Sequence, residues 1–134
     1  MDVSKLQQAS IALDEAVWVN GDVHGLSTVK LLVMSRGSKE AQRSVNRALR
    51  GLGPEHRDED GGITDDALDA VDDLTLLGAL KGWEGFKDGK KDVPYTPEAA
   101  EEFIKSSIFW GALRASVAHV TQQAESTIEA LEKN

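Results

Sequence analysis

The chain has no cysteine, only seven aromatic residues and no long apolar run. Without cysteine it can have neither a disulfide scaffold nor a thiolate nucleophile, and it has no cysteine ligands for zinc. No apolar stretch approaches the ~18 residues of a membrane-spanning helix, and the polar first residues contain no signal-peptide core. These absences lead us to expect a soluble cytosolic protein with no membrane partner.

Basic residues are also scarce in most of the chain, whose formal net charge is −8. Residues 1–54 carry a net charge of +2, residues 55–102 carry −10, and residues 103–134 are neutral. Nucleic-acid binding requires a basic surface that faces the phosphates. We therefore expect no nucleic-acid partner for the molecule as a whole, although the first third can carry a small basic patch.

The 134 residues, 40% of them hydrophobic, suit one domain on the usual scale of roughly 100–200 residues. Within a single domain, 1–134, we expect a small α/β half over residues 1–53, a loop over 54–62 and a helical half over 63–134. The composition alone says nothing of an activity.

Hydrophobic periodicity predicts the elements of the first half. Apolar residues at steps of three and four predict a helix over residues 4–16. Two β-type runs, 17–19 and 28–34, predict a small hairpin whose strands are joined by an irregular loop over residues 20–27. The predicted fold class is therefore mainly α (α+β), with an N-terminal helix and small β-hairpin followed by a helical bundle.

Capping residues mark the later helices. Ser38 is expected to begin a helix that runs to about residue 52, and Thr64 to begin one that runs to about residue 81. Residues 83–95 are glycine-rich and turn-like, and Thr96 with Pro97 is typical of a further helix start.

The last helix has a narrow apolar stripe at steps of three and four. A stripe so long and narrow is typical of a helix–helix seam rather than of a broad core face. It predicts a homo-oligomer or a seam for a helical client. The stripe consists of Trp110, Leu113, Val117, Val120, Ala124, Ile128 and Leu131.

Residue patterns that would carry chemistry are missing. The three histidines are scattered, at His24, His56 and His119. The acidic loop that begins at Asp58 has glycine at its fifth position, where the EF-hand pattern needs an oxygen ligand. No phosphate-binding loop or dinucleotide fingerprint is present. We therefore predict no enzymatic activity, no catalytic residues, no cofactor and no metal.

Two helices are expected to have strongly charged faces. The helix that begins at Ser38 has a basic face, and the helix that begins at Thr64 has an acidic face. A solvated helix surface is the simpler interpretation of each face. Alternatively, the basic face of one subunit docks on the acidic face of another, which would set register and association rate more than affinity. The basic face is Lys39, Arg43, Arg47 and Arg50, and the acidic face is Asp65, Asp66, Asp69, Asp72 and Asp73.

Three of the seven aromatic residues, Trp83, Phe86 and Tyr95, lie within thirteen residues around the expected turn. Buried, they would hold the turn on the helices. Exposed, they would be interface anchors, since Trp and Tyr dominate binding hot spots. We predict that Trp83 belongs to the core and leave Phe86 and Tyr95 open.

The segment around this turn resembles tail assembly chaperones of long-tailed bacteriophages. The resemblance rests on Trp83-Glu84-Gly85-Phe86, on Asp88 and Asp92, and on Pro94-Tyr95-Thr96-Pro97-Glu98. The two strands and the Ser38 helix look like the N-terminal part of that family, so the similarity covers about residues 12–105. Lys90 and Lys91 lengthen the turn relative to the commonest form of the motif.

The resemblance implies a non-catalytic protein of the host cell cytoplasm that is absent from the mature virion. Such chaperones bind the tape measure protein and keep it soluble, and a frameshift-extended form recruits the tail tube protein. The candidate interaction residues are Trp83, Phe86, Tyr95, Trp110, Leu113, Val117, Val120, Arg43 and Arg47. The alternatives are a structural protein of the phage head–tail junction or tail, and a small helical regulatory protein that acts through its arginines.

The last three residues, Glu132-Lys133-Asn134, can be encoded by a sequence that contains the slippery heptamer A-AAA-AAC. We therefore formulate the hypothesis that the chain is the short product of a frameshifted pair. Synonymous codons can also encode these residues without the heptamer. A GAG codon for Glu132 or an AAG codon for Lys133 would exclude the hypothesis.

Overall fold

The computed structural model describes residues 2–20, 26 and 28–133. Five α-helices and a small antiparallel sheet account for most of these residues, which confirms the predicted α+β class. The elements are α1 (Val3–Asp14), β1 (Val17–Asn20), β2 (Lys30–Val33), α2 (Lys39–Arg50), α3 (Asp65–Ala79), β3 (Leu80–Glu84), β4 (Lys87–Asp88), β5 (Lys91–Asp92), α4 (Pro97–Phe103) and α5 (Ser107–Lys133).

The three predicted N-caps are confirmed. The side-chain oxygens of Ser38, Thr64 and Thr96 each accept a hydrogen bond from the backbone N–H three residues later, at 3.2, 3.3 and 3.0 Å. Each bond satisfies one of the amide groups that a helix start leaves without an intrahelical partner. Asp2 caps α1 in the same way, which the sequence pattern did not predict.

The expected hairpin forms from β1 and β2, which pair antiparallel with Val17 opposite Val33. Of the expected joining loop over residues 20–27, residues 21–25 and 27 lie outside the described part of the chain.

A third strand, β3, follows α3 without a loop and pairs with the other edge of β2. The prediction that the third helix continues to residue 81 was therefore wrong at its end, because tertiary pairing with β2 overrides the helical pattern from Leu80 onward. The predicted turn after β3 is confirmed as the β4–β5 hairpin, in which Gly89 adopts a positive φ of 64°.

The hydrophobic core lies between the inner face of the sheet and the helices α3 and α5. Cross-strand neighbours form its sheet side, since Val19, Leu31 and Trp83 are paired in register across the three strands. The core draws on residues from 19 to 120, so both expected halves of the chain contribute to one cluster.

Helix α1 packs against α5, at the edge of this core. Its last turn is held by Ser35, whose hydroxyl donates to the Leu13 carbonyl at 3.1 Å, and by Asp14, which accepts from the Lys39 N–H at 2.9 Å. The adjacent Arg36 N–H donates to Thr121 on α5 at 2.9 Å. These three bonds place the end of α1 beside the middle of α5.

No helix formed by the described residues combines the length and the apolar character that crossing a membrane requires.

Candidate functional site

An open groove of about 680 Å³ lies where α2, the end of α3, β3 and the start of α4 meet. Its floor is mainly apolar and its rim is charged. The lining residues are Glu40, Arg43, Ser44, Arg47, Ala48, Leu74, Leu77, Gly78, Leu80, Lys81, Tyr95, Pro97, Ala100 and Glu101.

The floor of the groove depends on a close approach of α2 and α3. Gly78 lies directly against Ser44, so that a Cβ on residue 78 would collide with the Ser44 side chain. Two leucines of α3 border this contact. Leu77 is half-buried and Leu74 is 46% exposed, which makes Leu74 one of the most exposed large apolar side chains of the described residues.

Tyr95 forms the wall opposite α2. Its hydroxyl donates to the Leu80 carbonyl at 3.3 Å, and its ring meets that of Trp83 edge-on at 5.1 Å between centroids. Burial raises the pKa of the Tyr95 phenol, and the negative charge of Glu98 adds to the rise. The phenol is therefore a neutral, half-buried part of the wall.

The charges on the rim are not balanced. Lys81 forms an ion pair with Glu40, and burial lowers the pKa of the Lys81 ammonium. Arg43 and Arg47 are exposed, and no carboxylate among the described residues lies within ion-pair distance of either guanidinium. The α2 side of the groove therefore presents two unpaired positive charges beside the apolar floor.

Trp83 is 6% exposed, as the core interpretation predicted, and its indole N–H donates to the Val93 carbonyl at 2.9 Å. It is the centre of a cluster of five of the seven aromatic residues: Trp83, Phe86, Tyr95, Phe103 and Phe109. Phe86 and Tyr95 are half-buried against it, so each serves the core while part of its surface stays accessible. Sequence reasoning missed Phe103 and Phe109, which share no regular spacing with Trp83.

Four of the seven residues of the α5 stripe are buried within one copy. Leu113 and Val117 are fully buried and Val120 is 2% exposed, because the sheet and the packed helices cover this face. These three interaction candidates therefore belong to the core of one copy, and their role in binding a partner stays a prediction. Trp110 is half-buried and donates its indole N–H to Asp73 at 2.9 Å, with the Arg114 guanidinium over its ring.

The acidic face of α3 divides into two parts. Asp72 pairs with Arg36 at 3.0 Å and with Arg114 at 3.2 Å, and Asp73 accepts from Trp110. These two carboxylates therefore hold α3 against its neighbours. The remaining three, Asp65, Asp66 and Asp69, are exposed.

The part of the chain that the structure describes contains no group of three or more histidine and acidic side chains that could hold a metal ion. In the acidic loop, the Asp58 carboxylate accepts from the backbone N–H groups of Asp60 and Gly62 at 3.0 and 2.8 Å. This carboxylate shapes its own loop. The groove itself combines an apolar floor with two positive charges on its rim.

A family model described as YdaY prophage protein matches residues 36–134, about three quarters of the chain. No curated protein and no solved structure matches the chain. The matched segment contains every residue that lines the groove, whereas α1, β1 and β2 precede it.

Proposed function

Since the chain belongs to the YdaY prophage protein family and is of bacteriophage origin, we propose that it is a non-catalytic tail assembly chaperone. In this role it binds the tape measure protein in the host cell cytoplasm and keeps it soluble. An extended form of the chain brings tail tube subunits to the complex, and neither form remains in the mature virion.

The groove is the single observation that carries this proposal. Amphipathic helices bind proteins by laying an apolar face into a groove of this kind, with charges along the rim that fix orientation. Leu74 and Leu77 supply the apolar floor, while Arg43 and Arg47 supply the charged rim. A long and largely helical client such as the tape measure protein offers many segments that suit such a groove.

The segment that carries the resemblance to tail assembly chaperones also builds one wall of the groove. Tyr95 and Pro97 line it directly, and Trp83 supports Tyr95 from behind. The turn motif of the sequence and the groove of the fold are therefore parts of one region, which lies wholly inside the segment matched by the family model.

The decisive experiment is co-expression with the tape measure protein of the same prophage, followed by measurement of the soluble fraction of that protein. We expect the wild-type chain to keep the tape measure protein in solution and to co-purify with it. Leu74→Lys should abolish both effects, because it places a charge on the apolar floor. Since the Leu74 side chain is 46% exposed, we expect this variant to fold as the wild-type chain does.

Leu68→Lys is the matched control. Leu68 lies on the same helix and is 49% exposed, but it does not line the groove. This variant should protect the tape measure protein at least as well as the wild-type chain does. A tape measure protein that precipitates equally with and without the wild-type chain would contradict the proposal.

The alternative is a structural protein of the phage head–tail junction or tail. Mass spectrometry of purified particles separates the two functions, because a chaperone leaves the assembled tail whereas a structural protein stays in it. Stoichiometric amounts of the chain in particles would favour the structural alternative.

A further inference from the structure

Helix α3 carries the groove at its C-terminal end and an acidic surface at its N-terminal end. This acidic α3 surface consists of Asp65, Asp66, Leu68 and Asp69, all exposed. Nine residues, or about two and a half turns, separate Leu68 from Leu77 of the groove floor, so these two side chains lie on opposite sides of the helix. Leu68 and the groove floor therefore face in different directions, although Asp66 lies on the same side of the helix as Leu77.

The acidic α3 surface has the composition of a ligand for the groove. Its three carboxylates have no cation within ion-pair distance among the described residues, in contrast to Asp72 on the same helix. Leu68 stands among them with 49% of its surface exposed. An exposed leucine flanked by unpaired carboxylates on a helix is complementary to an apolar floor with unpaired arginines on its rim.

The groove has the matching charge. Within its lining, Glu40 neutralises Lys81, and Glu101 is the other carboxylate. Arg43 and Arg47 then leave a net positive charge, although the whole chain carries −8. An acidic ligand that enters from the α2 side meets these two guanidinium groups first.

We propose that, in the absence of a client, the groove of one copy takes the acidic α3 surface of a second copy. Leu68 of the second copy packs on Leu74 and Leu77, while its carboxylates face Arg43 and Arg47. Because the two surfaces differ, and because Leu68 and the floor residue Leu77 lie on opposite sides of α3, the contact is heterologous. Copies then add in one direction, to a ring or to an open chain.

Salt should weaken this contact modestly. Exposed ion pairs contribute little to affinity, but they set the orientation and the rate of association. The apolar contact at Leu68 supplies most of the affinity. The self-association goes beyond the proposed function, because the chain could bind its client as a monomer. Failure of the self-association would therefore leave the proposed function intact.

The test is sedimentation velocity on the purified full chain, without a client, at about 50 mM and about 500 mM NaCl, across which the screening length falls from ~14 to ~4 Å. We expect the average mass to rise with protein concentration and to fall at the higher salt. Arg43→Glu with Arg47→Glu should weaken association by about tenfold or more, because like charges then face each other across the contact.

The matched control is Lys39→Glu with Arg50→Glu. It makes the same change of charge on the same helix, outside the lining of the groove, and should associate as the wild-type chain does. Combining Arg43→Glu and Arg47→Glu with Asp65→Arg and Asp69→Arg reverses the net charge of both surfaces, although Asp66 stays acidic, and should restore part of the association. Circular dichroism verifies that each variant is folded.

Leu68→Lys tests the contact from the other side and leaves the groove unchanged. It should weaken association by about as much as the paired arginine reversal, because a charge then replaces the apolar anchor. A wild-type chain that stays monomeric up to about 100 μM, a concentration that would reveal even weak micromolar association, would overturn the proposal. So would equal association of the arginine reversal and its control.

Discussion

The indole N–H of Trp110 on α5 donates to the Asp73 carboxylate on α3 at 2.9 Å. This bond joins a residue of the predicted apolar stripe to a residue of the predicted acidic face, two patterns that the sequence presented as separate. The neighbouring Arg114 lies over the Trp110 ring at 5.2 Å from its centroid and also bonds to Asp72. The two helices are therefore joined by a polar contact at the edge of the core.

Trp110→Phe and Asp73→Ala should each lower the free energy of unfolding by about 1 kcal/mol, the usual contribution of one hydrogen bond to stability. The double variant should lose less than the sum of the two, because each single variant already breaks the bond. Urea denaturation of the four proteins measures this coupling. Asp69→Ala, which removes an exposed carboxylate of the same helix, should have little effect, and additive losses would contradict the assignment.

The fully buried Ser116 hydroxyl has no hydrogen-bond partner among the described residues. Burial of an unsatisfied hydroxyl costs about 1–3 kcal/mol, so Ser116→Ala should stabilise the fold and raise the melting temperature. Ser38→Ala is the contrasting variant, because the equally buried Ser38 hydroxyl caps α2. It should lose about 1 kcal/mol. A lower melting temperature for Ser116→Ala would show that the hydroxyl does have a partner.

Gly78→Ala should destabilise the fold, although alanine favours helices by about 1 kcal/mol over glycine. A new Cβ at residue 78 would lie 2.6 Å from Ser44 Cβ, so that α2 and α3 would have to move apart. Overpacking of this kind costs about 1–3 kcal/mol. Adding Ser44→Gly to the Gly78→Ala protein should restore more stability than the new glycine costs, because it removes the side chain that the Cβ of residue 78 meets. Thermal unfolding monitored by circular dichroism tests both effects, and a Gly78→Ala protein that is more stable than the wild-type chain would disprove the close approach.

Tyr95 is the only tyrosine of the chain, so an ultraviolet absorbance titration reports its phenol alone. The midpoint should lie above the ordinary value of about 10, because burial raises the pKa of Tyr95 and Glu98 adds to the rise. Glu98→Gln should bring the midpoint down part of the way. A midpoint at or below that of a free tyrosine would show an exposed ring.

The raised pKa of Tyr95 also has a consequence for stability. Since the folded-state pKa exceeds the unfolded one, the contribution is fully present below the unfolded pKa and is lost as the pH rises through the folded pKa. The stability advantage of the wild-type chain over Tyr95→Phe should therefore shrink as the pH increases past 10 or so. Chemical denaturation of both proteins at several pH values measures this difference.

Local signals in the sequence determined the starts of α2, α3 and α4 correctly, because Ser38, Thr64 and Thr96 act on amide groups only three residues away. The strand β3 could not be predicted in this way. Its residues continue the helical pattern of α3, and their strand conformation depends on pairing with β2, about fifty residues earlier in the chain.

The sequence predicted the basic rim of the candidate site but not its apolar floor. The basic face with Arg43 and Arg47 follows from helical spacing alone, and so does the long stripe of α5. Whether a helix face is exposed depends on which elements cover it, and the sequence pattern does not contain that information. The floor at Leu74 and Leu77 arises from the same kind of non-local contact, through the approach of Gly78 to Ser44.

The packing of α1 against α5 brings together two helices between which every other described element lies in the sequence. Contacts between residues so distant along the sequence slow folding, because a long loop must close before they form. During synthesis, α1 leaves the ribosome well before its packing partner α5. The newly made α1, together with the central strand β2, must therefore wait for the rest of the polypeptide before it can be buried.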